Sequence, residues 1–200
     1  FVSGEIDSKK ITAEVCVHHL RFNEHDYVDL GNQIKCNPSI KREEDRAAVM
    51  NALLNDQIDI IATDHAPHTW EEKSRPYSKA PAGLPLVQHA LQVLLDFYHD
   101  GILSLEHIVK KTSHNVAKRF QIKDRGYIRE GYYADLVILD LEKNFKVSKE
   151  NILYKCGWSP FEGTTFNSSI HSTIINGTLV FSNNNLINDI PIGKRIEFNR

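Results

Sequence analysis

The pattern of apolar and polar positions predicts two short strands in the first third of the chain. Residues 58–62 are Ile-Asp-Ile-Ile-Ala, a short β-branched run that is typical of a parallel strand buried on both faces. Residues 11–20 alternate in part between apolar and polar positions, which predicts a second strand. That strand would carry His18 and His19 at its C-terminal end.

Between and after these strands, apolar residues recur every three or four positions, as they do in helices. We predict helices over residues 43–56 and 85–99, a third that Ser104 caps, and a fourth over residues 113–120. Strands that alternate with helices indicate an α/β fold. Four histidines of this region are expected to be ordinary surface or helix-end residues: His89, His99, His107 and His114.

The pattern changes near residue 126, where turns and short strands replace the helices. A strand is predicted over residues 134–140, and two more over residues 169–175 and 178–182. The last two are joined by Asn-Gly, which is a strong hairpin signal between β-rich runs. We therefore divide the chain into residues 1–125 and a small β domain of residues 126–200.

Composition and charge narrow the classes of partner. Hydrophobic residues make up 41% of the chain and charged residues 25%, with a formal net charge of −2. These are ordinary values for a globular domain, and both signs of charge are scattered. We therefore expect no nucleic-acid partner and no membrane partner, and no apolar run approaches the length that spans a bilayer.

The cysteines and the start of the chain bear on its origin. Three distant cysteines without a Cys-x-x-Cys motif indicate a reducing, cytoplasmic compartment rather than a disulfide framework or a thiolate metal site. The chain starts at Phe1 without a secretory signal. Its barrel-like part is about half of the roughly 250 residues of a complete (β/α)₈ barrel. We expect a C-terminal piece of a longer protein.

The strand of residues 58–62 is followed by a group of side chains that suits catalysis. Asp64, His65 and His68 lie within five positions, and Pro67 interrupts any helix between them. In α/β barrels and open α/β sheets, catalytic groups lie at the C-terminal ends of strands. The alternative is a polar turn in which Asp64 caps the next segment.

Five segments of the sequence carry a resemblance to a known family. Ala-Thr-Asp-His-Ala-Pro-His at residues 62–68 resembles the last metal-ligand motif of the dihydroorotases, members of the amidohydrolase superfamily. The strand of residues 11–20, Lys-Cys-Asn-Pro at 35–38 and Ala-Pro-Ala-Gly at 80–83 agree with it. So does the segment 126–137, which resembles the passage from the barrel into a small β domain. The resemblance runs from about residue 11 to the end and is strongest to the Bacteroidetes type.

The resemblance implies a fold and an activity. The fold would be the C-terminal part of a (β/α)₈ metal-dependent hydrolase barrel, followed by a small β-sandwich-like domain. The activity would be zinc-dependent, reversible hydrolysis of dihydroorotate to N-carbamoyl-aspartate in pyrimidine synthesis. Two zinc ions are expected in the full-length enzyme. Its oligomeric state is not determined, and a homodimer is one possibility. This chain would lack most of the metal ligands and be inactive alone.

The resemblance also assigns residues to the site. Asp64 would be a metal ligand and the general acid/base, because a carboxylate at the metal can carry a proton from nucleophile to leaving nitrogen. Asn37 and His68 would bind the substrate through their side chains, and Ala82 and Gly83 through their backbone. Related hydantoinases, dihydropyrimidinases and allantoinases usually lack a histidine at the position of His68.

Three questions stay open at this stage. The first concerns the two adjacent histidines. Either His18 or His19 binds a metal directly, as imidazole often does, or one ring supports the site without binding metal while the other packs in the core. The resemblance favours the second role, because the family's histidine ligands lie on earlier strands. Two alternatives to dihydroorotase activity also remain. The protein could be a different cyclic amidohydrolase, such as a dihydropyrimidinase, hydantoinase or allantoinase, or a non-catalytic homologue with a structural role. The role of His65 is not assigned.

Overall fold

The computed structural model describes residues 2–187 and 190–199 and has a mixed α/β architecture. The α-helices are α1 Val17–Arg21, α2 Tyr27–Leu30, α3 Glu43–Leu54, α4 Trp70–Lys73, α5 Ala90–His99, α6 Leu105–Val109 and α7 Asn115–Phe120. The strands are β1 Glu14–Cys16, β2 Ile60–Ala62, β3 Leu136–Asp140, β4 Phe145–Lys146, β5 Thr165–Phe166, β6 Ser169–Ile175, β7 Thr178–Ser182 and β8 Asn185–Leu186. Among these described residues, no helix has both the length and the apolar character that crossing a membrane requires.

Strands β1 and β2 pair in parallel, as predicted, with Cys16 opposite Ala62. The predicted strand over residues 11–20 is confirmed only at Glu14–Cys16: residues 11–13 are not in a strand, and the chain turns into α1 directly after Cys16. Strand β2 ends at Ala62, so the backbone beyond Cys16 has no partner in this pair. Val17 and Leu20, three positions apart, are fully buried on one side of a helical turn. His18 and His19 therefore lie in a helix, just past the strand end.

The predicted helices are present with altered ends. Helix α3 begins at Glu43 with three acids in its first turn, and the Ser104 hydroxyl accepts from the His107 N–H at 3.1 Å as a cap of α6. Helix α5 begins at Ala90, five residues later than predicted. The N–H groups just before it, those of Leu86 and Val87, instead point to the ring of His65.

After β3 the described residues hold only strands and one short 3₁₀ helix, Lys149–Asn151. Strands β3, β6, β7 and β8 form one antiparallel sheet in that order, and β4 and β5 form a separate antiparallel pair. The predicted hairpin is confirmed: Asn176 and Gly177 join β6 to β7 with φ angles of 50° and 79°. Positive φ at both turn residues is what a two-residue hairpin loop requires.

One hydrophobic core joins the two parts of the chain. Val147, Trp158, Phe161 and Phe166 from the second part are buried in the same cluster as the residues around β1, β2 and α5. The segment between β4 and β5 therefore packs against the helices. His89 is also fully buried there, contrary to the predicted surface position, and burial lowers its pKa to about 4.

A buried ion pair anchors the start of β1 to the start of β2. The Lys9 ammonium lies 2.6 Å from the Asp59 carboxylate, and both side chains are at least 96% buried. The second carboxylate oxygen accepts from the Ala13 N–H at 3.0 Å, and the Asp59 carbonyl accepts from the Asn115 amide at 2.7 Å. Asp59 thereby connects the lead-in to β1, strand β2 and helix α7.

We predict that Asp59→Asn lowers the free energy of unfolding by about 3–5 kcal/mol. The substitution leaves the Lys9 charge buried without its counter-ion, and an unpaired buried charge is costly. Urea denaturation followed by circular dichroism measures the loss. The control is Glu44→Gln, which breaks the exposed pair with Arg42 and should change the value by less than about 1 kcal/mol. Equal effects of the two substitutions would contradict the anchoring role.

Candidate active site

Asp64 stands two residues beyond the end of β2, and its carboxylate is exposed. Its φ angle of 45° is in the left-handed region, which turns the chain sharply after the strand. Within the described residues, the carboxylate makes no hydrogen bond or ion pair. Asp64 is therefore positioned at the C-terminal end of a parallel strand with its oxygens available to a ligand.

A cavity of about 630 Å³ opens at the ends of β1 and β2. Its wall includes Cys16, His19, Asn37, Pro38 and Asp64. Asn37 is exposed and lines the same cavity as Asp64, so the fold brings together two of the predicted site residues that are 27 positions apart in sequence.

His68 does not line this cavity but a neighbouring one of about 390 Å³, together with His65 and Glu72. Its Nε2 lies 3.1 Å from the carbonyl oxygen of Ala82, so this nitrogen carries a proton and donates it. The Nδ1 atom lies 3.6 Å from the Glu72 carboxylate. The fold therefore joins His68 to Ala82, while the ring is separated from the cavity that Asp64 lines.

Gly83 allows the close approach of two loops. Its φ angle is +123°, and a Cβ at this position would lie 2.6 Å from the carbonyl oxygen of Ala66 and 3.3 Å from the His68 ring. A side chain cannot fit there. The Gly83 N–H donates to the Lys35 carbonyl at 2.8 Å, and the Gly83 carbonyl accepts from Lys73 at 2.8 Å. Both backbone groups of Gly83 thus have protein partners.

Lys73 was missed by the sequence reasoning, which placed it in a charged loop. It is 98% buried, and its ammonium donates to the carbonyls of Lys35 at 3.3 Å, Pro81 at 3.1 Å and Gly83 at 2.8 Å. Burial lowers its pKa to about 8. One side chain therefore ties together helix α4, the segment before Asn37 and the loop that contains Ala82.

His65 has a positioning role in the structure. Its Nδ1 accepts from the backbone N–H of Leu86 at 3.1 Å, with the Val87 N–H at 3.4 Å. Because Nδ1 accepts, the ring proton is on Nε2. A parallel bridge between His65 and Leu84 continues the contact. His65 thus connects the Asp64 turn to the segment that leads into α5.

The histidine pair of α1 has two different environments. His18 is 99% buried, and neither of its ring nitrogens has a hydrogen-bond partner among the described residues. Burial, with a smaller contribution from His19, lowers the pKa of His18 to about 3, so the ring is neutral at neutral pH. The His19 Nε2 lies 2.8 Å from the carbonyl oxygen of Pro38 and donates to it.

Asp64 by itself does not make a metal site within the described residues. A carboxylate oxygen at a strand end suits zinc, but a protein zinc site has three or four ligands. Across residues 2–187 and 190–199, a single group of three or more potential metal-binding side chains occurs, and Asp64 is not a member of it. The chemistry of the Asp64 carboxylate fits one ligand of such a site.

Comparisons with known proteins agree with the geometry. Residues 4–180 match the amidohydrolase family. The chain is 38% identical over 172 residues to dihydroorotase from Clostridium acetobutylicum, covering 86% of this chain and 40% of that protein. It is 37% identical over 186 residues to dihydroorotase from Pyrococcus abyssi, covering 93% of this chain and 44% of that protein.

Solved structures with similar folds are hydantoinases and dihydropyrimidinases. L-hydantoinase from Arthrobacter aurescens superposes with a TM-score of 0.83 at 27% identity, over 90% of this chain and 41% of that one. Dihydropyrimidinase from Brevibacillus agri superposes with a TM-score of 0.79 at 24% identity, over 88% and 40%. The second likeness concerns the fold alone. The chain spans about two fifths of the length of these relatives.

We predict that Lys73→Met loosens the Ala82 loop. Removing the ammonium leaves buried carbonyls, that of Gly83 above all, without a donor, which should lower the free energy of unfolding by about 1–3 kcal/mol. The amide of Gly83, bonded to the Lys35 carbonyl, should exchange faster with deuterium in native conditions. Mass-spectrometric hydrogen exchange measures this over residues 79–84.

The matched control is Lys79→Met, which removes an exposed ammonium from the same loop. Its exchange pattern should equal that of the unsubstituted chain. If Lys73→Met and Lys79→Met behave alike, the buried ammonium does not hold the loop.

Proposed function

Because the chain belongs to the amidohydrolase family, we propose that the protein that contains it hydrolyses a cyclic amide, and that this amide is dihydroorotate. The observation that supports the reaction type is Asp64, an unpartnered carboxylate at the end of a buried parallel strand, in one cavity with Asn37. The dihydroorotases at 35–38% identity support the choice of substrate. The reverse reaction, closure of N-carbamoyl-aspartate, belongs to the same proposal.

In this proposal, Asp64 is a metal ligand and the general acid/base. A zinc pair, completed by ligands from the rest of the protein, would supply an activated water and polarise the substrate carbonyl. Asp64 would accept the proton of the attacking water and deliver it to the leaving ring nitrogen. Its exposed position leaves room for both proton transfers.

The substrate would be held by groups on three segments. The Asn37 side chain offers a donor and an acceptor to the cyclic imide edge. His68 would donate a hydrogen bond to the substrate carboxylate, which requires its ring to leave the Ala82 carbonyl. Ala82 and Gly83 would contribute backbone contacts, Gly83 through the second lone pair of its carbonyl oxygen. The absence of a side chain at Gly83 would give the loop its close approach.

A second candidate function is hydrolysis of dihydropyrimidines or hydantoins. The structural neighbours favour it, because the protein from Arthrobacter aurescens is an L-hydantoinase. Two observations weigh against it: the relatives named dihydroorotase have the higher identity, and His68 is present. A substrate without a carboxylate has less use for a donor at that position.

Further parts of the proposal follow from the family and the chain. We keep a cytoplasmic location, which three free cysteines suit. The chain would divide near residue 126 into a portion of a barrel and a small β-sandwich-like domain. A homodimer is compatible with this proposal but is not part of it.

We predict that Asp64→Asn in the complete enzyme keeps the fold and removes most of the activity. The amide side chain is nearly isosteric but cannot accept and deliver the proton. Steady-state hydrolysis of dihydroorotate, with circular dichroism as the test of folding, measures the result. Asp100→Asn, at an exposed position after α5, should retain full turnover. Near-normal turnover by Asp64→Asn would exclude the assignment.

We predict that His68→Ala lowers kcat/KM for dihydroorotate by roughly tenfold to a hundredfold or more while the metal content is unchanged. A charge-assisted hydrogen bond contributes about 1.5–3 kcal/mol, which corresponds to that range. The assay should include dihydrouracil and hydantoin, whose turnover distinguishes the two candidate functions. The control is His25→Ala, which removes an exposed histidine far from His68 in the sequence and should leave kcat/KM unchanged.

Two outcomes would contradict this division of roles. Loss of metal in His68→Ala would make His68 a ligand. Unchanged metal content together with unchanged activity would remove the most specific support for dihydroorotate as the substrate.

A further inference from the structure

Three side chains with metal-binding atoms meet where β1 turns into α1. They are the Cys16 thiol and the imidazoles of His18 and His19, and their ligand atoms all lie within 4.8 Å of one another. The sequence reasoning excluded a thiolate metal site because the cysteines are isolated. The turn from strand to helix produces the cluster, since a continuous strand would point successive side chains to opposite faces.

The state of His18 is the observation that points to a ligand. A side chain that is 99% buried normally has hydrogen-bond partners for its polar atoms, yet both ring nitrogens of His18 lack one in residues 2–187 and 190–199. An orphan imidazole in the interior costs free energy unless something else satisfies it. Its neighbours in the cluster are another imidazole and a sulfur, a set that suits a metal ion better than a hydrogen bond.

His19 is held in the tautomer that a ligand needs. Its Nε2 donates to the Pro38 carbonyl at 2.8 Å, so Nδ1 carries the lone pair. Metal-binding histidines commonly donate their second ring nitrogen to a backbone carbonyl, which orients the ring. The Cys36 thiol also donates to the Pro38 carbonyl, at 3.2 Å, and its sulfur lies 3.9 Å from the same Nε2 of His19, on the side of the ring away from the free Nδ1.

We propose that Cys16, His18 and His19 form a binding site for one thiophilic divalent cation of the zinc and cadmium type. One thiolate and two imidazoles are ligands that such ions prefer, and three ligands leave a fourth position open. Cys16 and His19 both line the 630 Å³ cavity, which gives the ion a route from solvent. Binding displaces the thiol proton to solvent, because the thiolate is the ligand.

Asp64 is not a member of this group of three ligands, although it lines the same cavity. The inference rests on the cluster and the orphan ring, and it holds whether or not the protein hydrolyses dihydroorotate. An ion bound there would lie in the wall of the cavity that contains Asn37 and Asp64.

Cadmium titration of the purified, chelator-treated chain tests the site. Thiolate coordination produces a sulfur-to-cadmium charge-transfer absorption in the ultraviolet, which carboxylate and imidazole ligands do not. We expect this absorption to saturate at one equivalent per chain, and zinc to compete it away. Isothermal calorimetry with zinc should give the same stoichiometry.

Four variants assign the ligands. Cys16→Ser should abolish the charge-transfer absorption and weaken cadmium affinity by at least about a hundredfold. Loss of a residue that only supports a ligand weakens metal affinity by about a hundredfold at most. Two control variants should retain both the absorption and the cadmium affinity. They are Cys36→Ser and Cys156→Ser, of which the second removes a half-buried thiol elsewhere in the chain. Asp64→Asn should also retain both. Loss of the absorption in Cys36→Ser or Asp64→Asn, or its survival in Cys16→Ser, would overturn the proposal.

His18→Leu separates a ligand from a packed core residue. The substitution removes both orphan nitrogens and keeps an apolar side chain, so the metal-free chain should melt at the same temperature or higher. Cadmium affinity should nevertheless fall by at least tenfold. Unchanged affinity in a folded His18→Leu chain would show that His18 is only a core residue and would overturn the three-ligand site.

Discussion

The parallel pairing of β1 with β2 is the constraint on which the site depends. Only three residue pairs take part, from Glu14 with Ile60 to Cys16 with Ala62. Because the strands are parallel, both C-terminal ends lie at the same edge, and the polar residues that follow each strand share one cavity. A shift of one residue would turn Val15 and Ile61 out of the core, so the buried face and the site are set by the same register.

Charged groups in the interior reinforce this pairing from both ends. Asp59 with Lys9 secures the N-terminal end of the strand pair, and Lys73 binds the loops beyond the C-terminal end. Each buried charge is matched by hydrogen bonds, which is the condition under which such groups are tolerated. The hydrogen bonds of Lys73 within the described residues go to backbone carbonyls, and its ammonium also lies 5.9 Å from the centre of the Trp158 ring. Its geometry therefore depends mainly on loop conformation.

Local patterns predicted most elements because they depend on neighbours in sequence. The Asn-Gly hairpin, the Ser104 cap and the acidic first turn of α3 are interactions among residues at most four apart. Element ends were predicted less well. Helix α5 begins later than predicted, and the segment before it bonds through its N–H groups to the ring of His65, more than 20 positions earlier. No local pattern contains that contact.

The sequence by itself determined the kinds of chemistry available: an acid and two imidazoles after a buried strand, and an Asn-Pro segment and a small-residue loop near them. Only the tertiary structure decided which of these groups meet. Asp64 and Asn37 share a cavity, His68 contacts Ala82 outside it, and His18 is buried without partners. The physical reason is that side-chain proximity follows from strand register and from where each strand ends. Both are set by packing between distant segments, which a pattern along the chain does not contain.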